Sequence, residues 1–209
     1  ELRGHDVEVF AQGSYRNNTN VRLDSDVDIC VCCKDSIFFK FAEGVEYGAA
    51  DVGITVPAPY PYAEFKNDVE AALAAKFGRT GVVRGNKAFD IHENTYRVEA
   101  DVVACLEFRW FLPRGLDGRP RWIEGTRFMA DDGTVITNFP QQHYENGVRK
   151  NEATGNRFKF ITRSIKRQRN EMADAGVQEA QPIASYLIEC ITWNAPDVAF
   201  VAEQYLANV

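Results

Sequence analysis

Apolar and polar positions alternate in two early stretches, "VEVFAQ" at Val7 to Gln12 and "DVDICVCC" at Asp26 to Cys33. This is the period of strands, and Gly13 with the polar "YRNNTN" between them predicts a turn and a short helical start. After Lys34 a Gly- and Pro-rich stretch running through "VPAPYPY" predicts a long surface excursion. The period then changes. In "YAEFKNDVEAALAAKF" Phe65, Val69, Ala72, Leu73 and Phe77 recur at helical spacing, and Gly78 supplies a C-cap. Short strands are predicted at "GVVRG" and "AFDIH", and a longer one at "YRVEADVVACLEFRWF". There Val98, Ala100, Val102 and Ala104 share one face, which leaves Asp101 on the other. A hairpin from Arg121 to Asn138 turns at "ADDG". From Pro140 the pattern is helical: two helices around a break near "ATGN", a third beginning near Pro182 through "IASYLIECITWN", and a terminal one from Asp197. The expected architecture is α+β, a mixed sheet with helices over 1–139 followed by a helical lobe over 140–209, with a cleft between the two.

Composition narrows the classes more than it identifies one. The 209 residues suffice for a real core. No apolar run reaches the ~20 residues of a membrane span, and "ELRGHDVEVF" lacks a signal-peptide pattern, so no membrane association and a cytoplasmic setting are expected. The five cysteines show no CxxC and no Cys/His pair at zinc-ligand spacing, which reads as reduced, mostly buried thiols. A formal net charge of -6 disfavours broad binding to a long nucleic acid while leaving small charged ligands open.

The candidate chemistry lies in "LDSDVDICV", where Asp24, Asp26 and Asp28 alternate. Residues i and i+2 of a strand point the same way about 6.6 to 6.8 Å apart. That suits carboxylates bridging two divalent ions about 3.5 to 4 Å apart for displacement at phosphorus. Taken alone, the alternation is better explained by an edge strand with one solvated face. The pairing with "QGS" at Gln12 to Ser14 changes the balance. A glycine there lets backbone approach a phosphate, and Ser14 adds a hydroxyl and amides at a helix start.

Gly13 and Ser14, then Asp26-x-Asp28, then Asp101 in "VEADVV" resemble the signature of polymerase-beta-type nucleotidyltransferases. Within that superfamily the chain is most similar to the bacterial CD-NTases, the oligonucleotide cyclases related to cGAS and the oligoadenylate synthetases. "QGSYRNNT", "TNFPQQHYENGVRKNEATGNRFKFITRSIKRQR", "IASYLIE" and "TWNAP" carry the closer match, which spans nearly the whole chain. The resemblance implies a polymerase-beta-like nucleotidyltransferase core with the active site in the cleft before the helical lobe. It implies that Asp26 and Asp28 hold two Mg2+ ions, with Mn2+ as a substitute. Asp101 would hold the catalytic ion and orient the attacking sugar hydroxyl. It also places Ser immediately before the first metal carboxylate, so that "SDVDI" selects Asp26 and Asp28 and leaves Asp24 outside the metal site.

On "NRFKFITRSIKRQR" a stripe of Lys159, Arg163 and Lys166 stands beside an apolar row of Phe158, Ile161, Ile165 and Met172. A solvated basic face is the commoner origin of such a stripe, and a docking strip for triphosphate is the alternative that a nearby metal-carboxylate site favours. The resemblance adds Lys166 and Ser185 as triphosphate contacts and Tyr186 as a base-stacking aromatic. Helix-core packing for Tyr186 and a local cap for Ser185 stay open. His143 and Asn146 read as structural, and Lys87 as solvated.

The expected activity is the joining and cyclisation of NTPs into a cyclic di- or oligonucleotide second messenger. In the family such a product serves anti-phage signalling through a separate effector protein, from an enzyme expected here to be a monomer. Transfer to an RNA, protein or small-molecule acceptor, and a non-catalytic nucleotide-binding module, are the alternatives. Family members carry a helix before the Gly-Ser strand, so both ends of the natural protein are expected to extend beyond this sequence.

Overall fold

Five strands of the sheet lie in the order β1-β2-β5-β4-β3, built from Val7–Ala11 (β1), Val27–Phe41 (β2), Val82–Arg84 (β3), Phe89–Ile91 (β4) and Ala100–Leu112 (β5). Arg121–Met129 (β6) continues from β5 and pairs with Val135–Asn138 (β7). The computed structural model describes residues 2, 4–21, 26–56, 58, 60–92 and 99–200. Asp24 and Val98 lie outside them. The helices are Gly13–Asn17 (α1), Tyr62–Phe77 (α2), Pro140–Ala153 (α3), Phe158–Asp174 (α4) and Ser185–Asn194 (α5). Among the described residues no helix is long and apolar enough to cross a membrane.

The chain divides into two compact units. One contains 1–12 and 26–140, the other 13–25 and 141–209. The segment 13–25, which the sequence pattern places with the sheet, therefore groups with the C-terminal helices. Asn17 and Thr19 are buried there by side chains from those helices, and this accounts for the grouping.

In the sheet unit β2 and β5 run parallel, and α2, β3 and β4 form the connection between them. The core gathers Cys30–Cys33, Val102–Leu106, Phe89, Ile91 and Phe128 from the strands, with Phe65 and Val69 from α2. All four thiols of the strands are buried and free. The expected surface excursion after Lys34 is wrong in its first part, because β2 continues to Phe41 through an irregularity between Cys33 and Ile37. Lys34, Asp35 and Ser36 look like a strand break, yet tertiary partners hold them in the sheet. Lys34 pairs with Glu8, Glu107 and Glu124, and the buried Ser36 hydroxyl donates to the Tyr60 carbonyl at 3.0 Å.

α2 follows its predicted bounds. Its buried Lys66 meets Asp131 at 2.8 Å, and the Arg84 guanidinium grips the same carboxylate through two nitrogens, which ties α2 and β3 to the β6–β7 turn. Gly125 in β6 has a packing reason: a Cβ there would sit 2.5 Å from the Asn138 carbonyl and against the Phe139 ring.

Candidate active site

Register places the acids of the sheet unit. Asp28 is opposite Asp101 in the parallel β2–β5 pair, and Asp101 is opposite Asp90 in the antiparallel β4–β5 pair. Directly opposed residues project from the same face, so the three carboxylates form a row at intervals of roughly one strand spacing, about 4.8 Å. Asp26 sits just before β2, exposed, and its charge reaches Asp101. Further along that face of β2 the acids give way to the buried thiols of Cys30 and Cys32. The row thus borders a stretch of buried thiols, beyond which Lys34 meets Glu8 and Glu107. The backbone N–H of Gln12 donates to the Asp28 carbonyl at 2.9 Å, which anchors the end of β1 beside it.

The electrostatics of the row are unbalanced. Burial pushes the Asp101 carboxyl above its usual range, and the charges of Asp90, Asp26 and Glu99, with a hydrogen bond to Asp90, push it the same way. Crowded acids of this kind call for positive charge, and hard carboxylate oxygens suit Mg2+. Among the described residues no group of three or more acid, His or Cys side chains closes around a single point as an ion would require. Asp90 was not singled out in the sequence. It occupies a three-residue strand in "AFDIH", and only its register with Asp101 reveals it.

In the helical unit, Gly13 opens α1 with φ 64, a left-handed conformation that strains any residue bearing a Cβ. Ser14 is half-buried, and its carbonyl accepts the Thr19 N–H at 2.9 Å. Arg163 donates to the carbonyl of Asn18, another residue at positive φ. Lys159 is half-buried with its ammonium 5.7 Å from the centre of the Tyr144 ring. Burial, then the Arg163 charge, lower its pKa.

Lys166 departs from the expected stripe. It is 2% exposed, ion-paired to Glu189, and donates to the Thr19 carbonyl at 3.1 Å. The buried row of α4 is Phe158, Thr162 and Lys166, whereas Ile165 and Met172, expected in the core, are exposed. Of the expected stripe only Lys159 and Arg163 remain, both half-buried. The reason is a buried carboxylate on a neighbouring helix that outweighs the polarity of the lysine.

Glu189 is the residue that sequence reasoning missed in this unit, and it had a signal: a lone acid inside the apolar "IASYLIECITW". It accepts from the Thr19 hydroxyl at 2.6 Å and from His143 Nε2 at 3.1 Å as well as from Lys166. Burial opposes its ionisation, but the His143 hydrogen bond, the Lys166 charge and the Thr19 hydroxyl outweigh that and lower its pKa to about 2. His143 in turn accepts the Asn17 amide at Nδ1, 3.1 Å away. Ser185 is not the N-cap of α5, since Ala184 is, and its hydroxyl accepts from Arg169 at 2.8 Å. Tyr186 is 62% exposed and meets the His143 ring edge-on at 5.2 Å, which removes core packing as the explanation for its ring.

Residues 145–209 match the cGAS/DncV-like nucleotidyltransferase C-terminal helical domain. The chain is 48% identical, over its whole length and 69% of the relative's, to the cyclic dipyrimidine nucleotide synthase CdnE of Legionella pneumophila. It is 44% identical to the Cecembia lonarensis enzyme of the same name, over 91% of this chain and 62% of that one. The solved CdnE c-UMP-AMP synthase of Rhodothermus marinus, with Apcpp and Upnpp, superposes with a TM-score of 0.83 at 33% identity, covering 97% of this chain and 67% of that one. The chain therefore spans roughly two thirds of the length of these relatives, between 62% and 69%. With the opposed carboxylates of the sheet and the matched helical domain, the chain belongs to the CD-NTase family of cGAS/DncV-like nucleotidyltransferases, whose named relatives are cyclic nucleotide synthases.

Proposed function

We propose that this chain carries the catalytic machinery of a cyclic dinucleotide synthase acting on NTPs, with pyrimidine nucleotides among its substrates. The observation that carries this reading is the in-register row of Asp28 and Asp101, with Asp26 close enough to act on Asp101. The pyrimidine assignment rests on the dipyrimidine products named for the relatives at 48% and 44% identity.

In the reaction, a ribose hydroxyl of one nucleotide attacks the α-phosphorus of another. A P–O bond forms, the bond to the leaving pyrophosphate breaks, and the hydroxyl proton is released to water. A second transfer closes the ring. Asp26 and Asp28 would hold two Mg2+ ions, or Mn2+, and Asp101 one of them. Such ions, when bound, lower the pKa of the attacking hydroxyl and neutralise the leaving pyrophosphate. The protein's part is positioning: Asp101 orients the hydroxyl, and Gln12, Gly13 and Ser14 take the phosphates. Lys159, Arg163 and Ser185 add donors for the triphosphate, and Tyr186 offers an exposed ring on which a base stacks. Lys166, already neutralised by Glu189, supports this arrangement from inside the helical unit. The product would reach a separate effector protein in anti-phage signalling, made by a monomeric enzyme in the cytoplasm.

The test is incubation with ATP, GTP, CTP and UTP, singly and in pairs, with Mg2+ or Mn2+, followed by phosphatase treatment and mass spectrometry. A phosphatase-resistant cyclic product containing a pyrimidine is expected. Linear products alone, or transfer to an added acceptor, would remove the cyclase assignment. A cyclic product containing only purines would remove the substrate assignment.

A further inference from the structure

The most elaborate polar cluster in the helical unit is centred on a residue with no part in the reaction as written. Glu189 is 5% exposed, and both of its oxygens are engaged: Oε1 by the Thr19 hydroxyl and the Lys166 ammonium, Oε2 by His143. Each partner leads back to the same short piece of chain. Lys166 also holds the Thr19 carbonyl, His143 holds the Asn17 side chain, and Arg163 holds the Asn18 carbonyl. Three consecutive residues are thus fastened to α3, α4 and α5. They are the last residue of α1 and the two that follow it, and the amides of Asn18 and Thr19 bond back to the carbonyls of Tyr15 and Ser14. A five-residue helix has almost no stability of its own, so its conformation must come from tertiary contacts. Gly13 at φ 64 and Asn18 at φ 55 show that the segment is held in a shape the free chain seldom adopts.

We infer that Glu189 is a positioning residue: through Thr19, Lys166 and His143 it sets the conformation of 13–19 and so the placement of Gly13 and Ser14 for a nucleotide phosphate. This inference rests on the reading that Gly13 and Ser14 contact the triphosphate. It goes beyond that reading in assigning the control of their geometry to a buried acid that never touches substrate. Glutamine at 189 would keep the size and one acceptor but lose the anion that gathers an ammonium, a hydroxyl and an imidazole. Valine at 19 would remove a single hydroxyl and little else.

The experiment compares Glu189→Gln, Thr19→Val and Ser14→Ala in the full chain. One readout is amide hydrogen exchange, and the other is the Kd for a non-hydrolysable NTP with Mg2+, with Mn2+ affinity as the control. For Glu189→Gln, faster exchange concentrated in 13–19 and a Kd weakened about tenfold are expected, with Mn2+ affinity unchanged. Thr19→Val should move both readouts the same way by about threefold, and it is the decisive variant where Glu189→Gln does not fold. Unchanged exchange in 13–19 overturns the inference. So does exchange that rises equally through α3, α4 and α5, because Glu189 is then only part of the helical core. Ser14→Ala separates the two layers of the argument. If it leaves the Kd unchanged, the phosphate role of Ser14 fails on its own account, while the exchange data still decide whether Glu189 shapes the segment.

Discussion

Two buried or half-buried acids of this protein are driven in opposite directions. Asp101 stands in a row of like charges, with Asp28 and Asp90 in register on either side, and its pKa rises. Glu189 is more deeply buried, yet three donors converge on it and its pKa falls to about 2. Burial raises the pKa in both places, so the difference lies in what the neighbours supply. Around Asp101 the neighbouring charges are acids, which add to the effect of burial. A site built to hold a fold together is complete within itself. The charge of the neighbours, and not burial, therefore distinguishes the two acids.

The strongest way to break this comparison is Asp101→Ala. Losing the carboxylate proposed to hold a metal ion should cut Mg2+-dependent product formation at least about a hundredfold, since metal-borne charge stabilisation is worth several kcal/mol. Thermal melting without divalent metal should show no loss of stability, because the substitution removes repulsion. Wild-type rates in this variant would overturn the assignment of the carboxylate row.

Lys166→Met should do the reverse in the helical unit. It leaves Glu189 buried without its ammonium, and breaking a buried pair in this way costs about 3 to 5 kcal/mol, measurable by denaturant unfolding. A loss below about 1 kcal/mol would mean that water, not Lys166, balances the acid.

The pH dependence sharpens the contrast further. Glu189 has a folded pKa depressed from 4.5 to about 2, so its contribution to stability is fully present above about pH 4.5 and is lost as the pH falls towards 2. Asp101 has a raised pKa, so its cost is absent in acid and grows as the pH rises above 3.8. Unfolding curves from pH 2 to 7 should accordingly lose their acid-side slope in Glu189→Gln. In Asp101→Asn they should gain stability on the neutral side.

Smaller effects are expected for Lys159→Ala and Asp24→Ala. Lys159→Ala should weaken NTP binding by about three- to tenfold, as expected for one charge-assisted phosphate contact. Asp24→Ala should retain most Mg2+-dependent activity in the product assay, whereas Asp26→Ala should lose it. Equal losses in the two would reopen the choice among the alternating aspartates.

Much of the fold was legible because its determinants are local. The 3.6-residue recurrence of Phe65, Val69 and Leu73 needs no partner to announce a helix, and α2 occupies the predicted Tyr62–Phe77. The hairpin at "ADDG" and the break near "ATGN" are equally local. The part of β2 after Lys34 was not legible, since Lys34 and Ser36 stay in the sheet through partners on β1, β5, β6 and at Tyr60. The face of α4 was misjudged for a related reason. A lysine in an amphipathic pattern reads as solvent-facing, and no periodicity can show that an acid on another helix waits for it.

By itself the sequence determined the order and type of most elements and the acidic balance of the chain, while the resemblance to a family is what grouped Gly13, Ser14, Asp26, Asp28 and Asp101. Those properties depend on spacing and on residue chemistry. Only the tertiary structure decided that Asp90 joins Asp28 and Asp101 in a row, that Lys166 is buried, and that 13–25 belongs with the helices. Each of these is set by strand register or side-chain pairing between residues distant in the chain. Such pairings are chosen by the free energy of the whole fold, in which a buried charge is stable only where its partner arrives with it.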